Sequence, residues 1–422
     1  MGNPWKTVQG EKSRMDKIVD KTWIGGVEIA SPPQPIRKNL RGLDIPRFIP
    51  PDDDFAYLRP YGNDQLNSRA ATQLTQDPWR PLWNVDLDDH LDPRFILSDG
   101  ENILLQGDSR WQLFDMTGRA LKIGGLGSSG MVLDPKYKLF YLMDGLGYLS
   151  AWHLADGRLS FLIGVDFGNH FFRSFIRRRA NSLIVTGVER RIVPEGPPPQ
   201  NSLLQIIDLG EPPKVEKDFI LSSFKTRVSY MRRSRRLLAS CFNDTLVCAT
   251  ENNIYLADLD GNMKKAFTGT FIPLALSLDE GKRIYLIVLD QAGKYALWVV
   301  TEEGEQVLEG PLPNPPEHEF ISPLVGYDHR IFVMLEARIL ALNLKGESPW
   351  SAYTAGPIAG ALVTADDRLL VTEGSYLMAY DRKGERRPLQ TFEGETLRTQ
   401  PLLTKQGLLF VATAEKLYCL KR

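Results

Sequence analysis

The stretch Leu377–Glu385 reads LMAYDRKGE, an apolar run that ends in a charged turn containing glycine. The pattern returns in QLFDMTGR, SAWHLADGR, LQIIDLGEP, IYLADLDGN, ALWVVTEEGE and ILALNLKGE. Its glycines recur every 38 to 53 residues, at Gly118, Gly157, Gly210, Gly261, Gly304, Gly346 and Gly384. Glycine suits a tight hairpin turn because it adopts positive φ without strain. A unit of roughly forty residues is typical of a propeller blade.

Each unit also contains an earlier strand–turn–strand segment, for example LDEGKRIYLIV. Two hairpins per unit predict a four-stranded antiparallel blade, whose strands we label A to D from the axis outward. Seven complete blades extend from about Phe95 to Phe392, and an eighth has three strands in QPLLTKQG, LLFVATA and KLYCLKR. Residues 81–87 (PLWNVDL) can supply its outer strand and so remove exposed edges. We expect an all-β, eight-bladed β-propeller, with seven blades as the alternative.

The segment before the repeats differs in composition. Residues 1–78 hold nine of the 28 prolines but also aromatic side chains, and they lack helical or strand periodicity. We interpret residues 1–78 as an extended arm and residues 79–422 as the propeller with its closure strand at 81–87. The arm either lies along its own propeller or docks on a partner, and its candidate anchors are Trp5, Trp23, Phe55, Tyr57 and Tyr61.

Composition excludes several classes of protein. The 422 residues include 51 Lys and Arg against 52 Asp and Glu, which argues against a broadly basic nucleic-acid binder. Three cysteines are too few for a disulfide scaffold and lack metal-site spacing. The start of the chain shows no apolar leader, and no stretch is apolar enough to span a membrane. We expect a cytoplasmic protein.

The units SPLVGYDHRIFVMLEARILALNLKGE and QPLLTKQGLLFVATAEKLYCL resemble the pyrroloquinoline-quinone-type repeat of quinoprotein-like β-propellers. The resemblance spans about residues 80–422 and implies the fold. Such repeats occur both in dehydrogenases and in non-enzymatic scaffolds, so they do not imply one function. The vicinal cysteine pair common in the dehydrogenases is absent, and of the late tryptophans of each unit Trp350 is the nearest candidate. The resemblance is therefore one of architecture.

Four predicted inner strands begin near an arginine: Arg94, Arg173, Arg227 and Arg398. If their registers agree, these side chains surround one mouth of the central channel, on the face that carries the B–C turns and D–A connections. Clustered guanidinium groups favour an anion, which they bind through paired hydrogen bonds. The alternative is that each arginine pairs with a nearby carboxylate such as Asp166, Glu319 or Glu395.

The opposite face is predicted to carry a basic patch on the A–B turns of two adjacent blades. Its members are Arg177, Arg178, Arg179, Arg232, Arg233, Arg235 and Arg236. An acidic protein surface or nucleic acid could bind this patch. The alternative is solvated charge that limits aggregation.

Catalytic motifs are missing from the sequence. It contains no Gly-rich phosphate loop, GxSxG or HExxH, so we assign no catalytic residue, metal or cofactor. We expect a non-enzymatic scaffold whose arm and basic face dock protein partners in a bacterial-type multi-protein complex. The alternatives are a sensor that binds an anionic small molecule in the channel, or a quinoprotein-like oxidoreductase or hydrolase.

Overall fold

The computed structural model describes residues 23–24, 27–28, 70, 79–107, 109–125, 128–144, 148–164, 175–179, 182–190, 199–210, 213–225, 238–242, 245–258, 262–279, 281–312, 321–326, 328–335, 337–344 and 348–421. These residues form β-strands and their connections. The part of the chain so described contains no helix with the length and hydropathy that a membrane span requires.

The strands are arranged in four-stranded antiparallel sheets, which we number in chain order. Two short strands outside these sheets, β1 (Trp23–Ile24) and β2 (Val27–Glu28), pair with each other. Sheets 1 to 3 contain β4 (Pro93–Ser98), β5 (Asn102–Gly107), β6 (Arg110–Asp115) and β7 (Ala120–Gly125); β8 (Ser128–Asp134), β9 (Leu139–Asp144), β10 (Tyr148–His153) and β11 (Leu159–Gly164); and β12 (Phe175–Arg179), β13 (Ser182–Arg190), β14 (Pro199–Asp208) and β15 (Lys214–Lys225). Sheets 4 to 6 contain β16 (Leu238–Phe242), β17 (Thr245–Thr250), β18 (Asn253–Ala257) and β19 (Met263–Thr268); β20 (Phe271–Leu278), β21 (Ile284–Asp290), β22 (Tyr295–Val300) and β23 (Gln306–Pro311); and β24 (Leu324–Val325), β25 (Ile331–Leu335), β26 (Arg338–Leu342) and β27 (Trp350–Tyr353). Sheet 7 contains β28 (Ile358–Val363), β29 (Leu369–Glu373), β30 (Tyr376–Tyr380) and β31 (Arg386–Thr391), and sheet 8 contains β32 (Leu402–Leu403), β33 (Leu408–Ala412), β34 (Lys416–Lys421) and the earlier strand β3 (Arg80–Asp86).

The first strand of each sheet lies innermost. The A strands β8, β12, β16, β20, β24 and β28 contact one another in succession, and β4 contacts sheet 8 through β33. Apolar clusters fill the spaces between consecutive sheets, for example between sheets 6 and 7 around Trp350 and Tyr380. The predicted all-β propeller is confirmed.

The strand β3 completes sheet 8, as its sequence predicts. It pairs antiparallel with β34 and occupies the outer position in the order β3-β34-β33-β32. Its bounds, Arg80–Asp86, differ by one residue from the predicted 81–87. Strands from the two ends of the described propeller thus share one sheet, which leaves β34 with a partner on each side.

The glycine of the C–D turn has two functions. Gly118, Gly157, Gly304 and Gly384 all adopt φ between +64° and +87°. Each also approaches the outer strand of the preceding sheet so closely that a Cβ atom there would lie within 3 Å of Trp83, Lys122, Ala266 and Trp350, respectively. At these four positions the glycine is therefore required by the packing of one sheet on the next as well as by the turn, whereas Gly210 lacks both the positive φ and the close contact with another sheet.

Trp350 and Trp83 hold equivalent places in this packing. Trp350 covers Gly384 of the next sheet and stacks on Tyr380, with ring centroids 6.0 Å apart and planes inclined by 5°. Trp83 on β3 covers Gly118 of sheet 1 in the same way. The late tryptophan that the sequence pattern suggested only for Trp350 therefore also occurs on the closure strand.

We expect Gly384→Ala to destabilise the protein more than Gly394→Ala. Both glycines have positive φ, +84° and +75°, so both substitutions incur backbone strain of about 1 kcal/mol. Only at Gly384 would the new Cβ lie 2.7 Å from the Trp350 ring, whereas at Gly394 it would meet open space. The clash adds about 1–3 kcal/mol, measurable by urea unfolding. Equal losses in the two variants would contradict this packing role.

We expect Trp83→Ala to weaken ring closure substantially. The Trp83 ring lies 5.8 Å from that of Phe410 and covers Gly118, so truncation leaves a cavity that costs about 2–4 kcal/mol. The control is Leu82→Ala on the same strand, because Leu82 is 54% exposed and should change stability by less than about 1 kcal/mol. Thermal unfolding of both variants tests this. Similar melting temperatures would show that the closure strand does not depend on Trp83.

Candidate functional site

Functional side chains can gather at either end of the sheets. The A–B face, as we call it, carries the A–B and C–D turns, and the B–C face carries the B–C turns and the D–A connections. At the A–B face the segment before β3 contacts the propeller: Ala70 is fully buried, and its N–H donates a hydrogen bond of 2.7 Å to the carbonyl of Val363, the last residue of β28. Trp79, just before β3, is also buried. Part of the arm thus packs on its own propeller.

The arginine run at 177–179 lies in a strand rather than in the predicted A–B turn. Arg177, Arg178 and Arg179 are the last three residues of β12, and they pair with Ile184, Leu183 and Ser182 of β13. The prediction of a turn was wrong here because the ladder continues until only two residues separate the strands. The run still ends at the A–B face.

Most of the other predicted contact residues lie outside the described residues. These are Arg173, Arg227, Arg232, Arg233, Arg235, Arg236, Trp5, Phe55, Tyr57 and Tyr61. Trp23 lies in β1, opposite Glu28, and its side chain is likewise outside the description.

The B–C face holds the other two channel arginines, and their registers agree. Arg94 follows Pro93, which pairs with Gly107, the last residue of the B strand β5. Arg398 follows Leu397, which bridges Thr413, the residue directly after the B strand β33. In both sheets the C strand begins three residues later, at Arg110 and Lys416. The two arginines therefore occupy matching positions, and both are exposed.

A break in the strand ladder accompanies each of these arginines. Phe95 pairs with Gln106, so Arg94 is the extra residue of a β-bulge. The Arg398 N–H donates to the Ala412 carbonyl at 2.8 Å, but the ladder of β32 resumes only with Leu402 opposite Phe410. Bulges redirect side chains and are frequent beside binding sites.

Glu395, one of the carboxylates named above as alternative partners of the channel arginines, has other partners. Its Oε1 accepts a hydrogen bond of 2.5 Å from the Tyr418 hydroxyl and lies 3.8 Å from Lys416 Nζ. Burial, together with Glu395, raises the pKa of Tyr418 well above its ordinary value. Among the residues that the structure describes, Arg398 makes no ion pair.

A buried carboxyl group that sequence reasoning missed lies at the end of β29. Glu373 is fully buried; its Oε2 accepts hydrogen bonds from the Tyr380 hydroxyl at 3.1 Å and from the Ala355 N–H at 3.2 Å. Its Oε1 has no hydrogen-bond partner within the described part of the chain. Because Ala355 belongs to the D–A connection between sheets 6 and 7, Glu373 joins that connection to sheet 7. The only sequence signal was a carboxylate between an apolar run and a glycine, in LLVTEG.

Burial controls the protonation of this group. Desolvation raises the pKa of Glu373, and the hydrogen bonds from Tyr380 and Ala355 and the positive charge of Arg386 oppose the rise. Desolvation and the Glu373 carboxylate in turn raise the pKa of Tyr380. Arg386 donates a hydrogen bond of 3.0 Å to the carbonyl of Tyr353 on sheet 6. The junction between sheets 6 and 7 thus contains a proton-binding group in its interior.

The described residues form no cluster of three or more His, Cys, Asp or Glu side chains that could hold a metal ion. Burial raises the pKa of the Cys419 thiol to about 12, which keeps it protonated at neutral pH. The exposed side chains of Arg94 and Arg398 lie at the B–C face, and the backbone of the arginine run at 177–179 ends at the A–B face.

We expect Glu373→Gln to reduce the pH dependence of stability. The carboxyl pKa is raised above 4.5 in the folded state, so the folded protein binds the proton more tightly than the unfolded chain does. The resulting stabilisation is complete below pH 4.5 and is lost as the pH rises towards the folded-state pKa. It amounts to about 1.4 kcal/mol for each unit of pKa shift. Urea unfolding between roughly pH 4 and pH 8 measures the slope.

Glu393→Gln serves as the control because it makes the same change at an exposed position of the following connection. This control should retain the wild-type slope. Parallel stability curves for the wild type and Glu373→Gln would show that Glu373 is not the proton-linked group.

Comparisons with known proteins establish the fold of this chain but not its function. No known protein-family model matches the sequence, and no curated protein matches it. Among solved structures, the chain is similar to BamB from Moraxella catarrhalis, with 11% identity, a TM-score of 0.56, and 82% of this chain and 98% of that chain covered. It is also similar to a quinohemoprotein alcohol dehydrogenase from Pseudomonas putida HK5, with 10% identity, a TM-score of 0.57, and 88% and 80% covered.

A third similar structure is the C-terminal WD40 domain of Sif2, with 11% identity, a TM-score of 0.55, and 83% of this chain and 99% of that chain covered. At these identities the similarity is one of fold. BamB and the quinohemoprotein alcohol dehydrogenase confirm that the chain resembles quinoprotein-like β-propeller proteins in architecture.

Proposed function

We propose that this protein is a non-enzymatic scaffold that docks protein partners at its A–B face, within a cytoplasmic assembly of bacterial type. The proposal keeps residues 1–78 as an arm and residues 79–422 as the propeller. The observation that carries it is the anchoring of Ala70, which joins the arm to the same face as the arginine run.

The anchored residue of the arm and the end of the arginine run lie at the same face of the propeller, on sheets 7 and 3. Ala70 is bonded to Val363 at the A–B end of β28, and Trp79 leads into β3 at Arg80, which pairs with Lys421 at the same end of sheet 8. Arg179, opposite Ser182, is the last paired residue of β12 at the A–B end of sheet 3. A partner that contacts the arm therefore meets the face where the arginine run ends.

The chemistry of the arginine run favours a partner with an acidic surface. Consecutive guanidinium groups attract carboxylates over long distances and fix their orientation by paired hydrogen bonds. The backbone of this run is part of a strand ladder, so binding requires little ordering of the scaffold.

We also propose that sheets 1–8 are blades of one closed ring with eight members. Each sheet coincides with one repeat unit, and contacts between A strands run through sheets 2 to 7, while β4 joins sheet 1 to sheet 8. A crystal structure tests the count, because a ring of seven blades would leave one of these sheets outside the ring.

Two variants that share no residue test the scaffold proposal. One lacks residues 1–69 and keeps Ala70; the other combines Arg177→Glu, Arg178→Glu and Arg179→Glu. Proteins cross-linked to the full chain in native cells are quantified by mass spectrometry. We expect the same partner to be depleted about tenfold in both variants, because loss of either element weakens one interface.

The control combines Lys264→Glu, Lys265→Glu and Arg387→Glu, which makes the same change in charge on exposed outer strands. This variant should retain the partner, and thermal unfolding verifies that all variants are folded. If both variants retain the same partners as the full chain, in the same amounts, the proposal is wrong.

A further inference from the structure

The B–C face brings two equivalent arginines to neighbouring sheets. Arg94 directly follows Pro93 of β4, and Arg398 directly follows Leu397, an isolated bridge residue ahead of β32; Pro93 and Leu397 are each paired just before a B–C turn. Sheets 8 and 1 are neighbours because β33 contacts β4. Both side chains are exposed, at the B–C end of sheets 1 and 8. Because adjacent sheets carry an arginine at the same register position, both guanidinium groups lie at the B–C face.

The ladder breaks at these positions are shared by four consecutive sheets. In sheets 7, 1 and 2 the extra residue of the bulge is Ala359, Arg94 and Ser129, and in sheet 8 the irregular stretch begins at Arg398. Of these four sheets, sheets 8 and 1 carry arginine at this position. The bulge at Arg94 interrupts strand alternation there, whereas the Arg398 N–H still donates to the Ala412 carbonyl before the ladder of sheet 8 becomes irregular.

A third polar group lies on the same inner segment. Gln400, two residues after Arg398, is 3% exposed, and its Nε2 makes no hydrogen bond to any described residue. Its Cα lies so close to Gly360 of sheet 7 that a Cβ at that glycine would be 2.5 Å away, so no side chain separates the two inner strands here. A buried amide donor without a partner is costly, which favours a bound acceptor.

We propose that Arg94 and Arg398, with Gln400 as an additional donor, form a binding site for a small oxyanion at the B–C face of the channel. Guanidinium groups bind phosphate and carboxylate oxygens in pairs, and both classes share this chemistry. The site is at the opposite face from the docking surface proposed above and does not depend on it.

The experiment is isothermal titration of the full chain with inorganic pyrophosphate and, separately, with citrate, at constant ionic strength. We expect saturable binding of one stoichiometric equivalent of at least one of the two anions. The anion that binds more tightly identifies the class, phosphate or carboxylate. Arg94→Ala and Arg398→Ala should each weaken binding about tenfold, because a hydrogen bond to a charged group is lost. Arg398→Lys keeps the charge but loses the paired geometry, and it should bind more weakly than the wild type.

The control is Arg387→Ala, which removes one exposed positive charge from an outer strand and should leave affinity unchanged. Because Arg94 and Arg398 are exposed, their removal should not unfold the protein, and thermal unfolding without anion verifies this. Absence of binding of both anions to the wild type, or an equal loss in Arg387→Ala, would overturn the proposal.

Discussion

The antiparallel pairing of β3 with β34 is the contact on which the rest of the ring depends. Without β3, sheet 8 would have three strands, and the backbone of β34 would face solvent with half of its hydrogen-bonding groups unpaired. The same strand supplies Trp83, which covers Gly118 of sheet 1. One strand therefore satisfies the edge of the last sheet and provides the surface on which the first sheet packs.

The repeat could be predicted because turn chemistry and packing make the same demand on the sequence. At Gly384 the positive φ and the Trp350 ring both exclude a side chain, so the glycine recurs and marks the unit. The A–B turns carry less information, since their left-handed residue is Gly100 in sheet 1 but Lys138 in sheet 2 and Asp367 in sheet 7. A lysine or aspartate at such a position looks like any other polar turn residue.

In the candidate site, the sequence could predict only those residue positions that follow from the order of the strands. The matching positions of Arg94 and Arg398 follow from counting residues back from the B–C turns. Neither the bulge at Arg94 nor the irregular stretch at Arg398 could be foreseen, because such ladder breaks leave the composition of a strand unchanged. Glu373 could not be foreseen either: its burial and its bond to Ala355 arise from the way a connection folds over sheet 7. Arg177 was misplaced because charged residues suggest a turn, while the ladder with Ile184 keeps it in a strand.

The closure strand also determines how the two faces relate to each other. β3 begins beside Trp79 at the A–B face and ends near Asp88, which forms an ion pair of 2.7 Å with Arg110 at the B–C turn of sheet 1. The chain then enters β4 and reaches Arg94. A slip of β3 by one residue would turn Trp83 away from Gly118 and break the ladder with β34, so the packing of sheet 1 on Trp83 fixes the register of the strand that links the A–B face to Arg94.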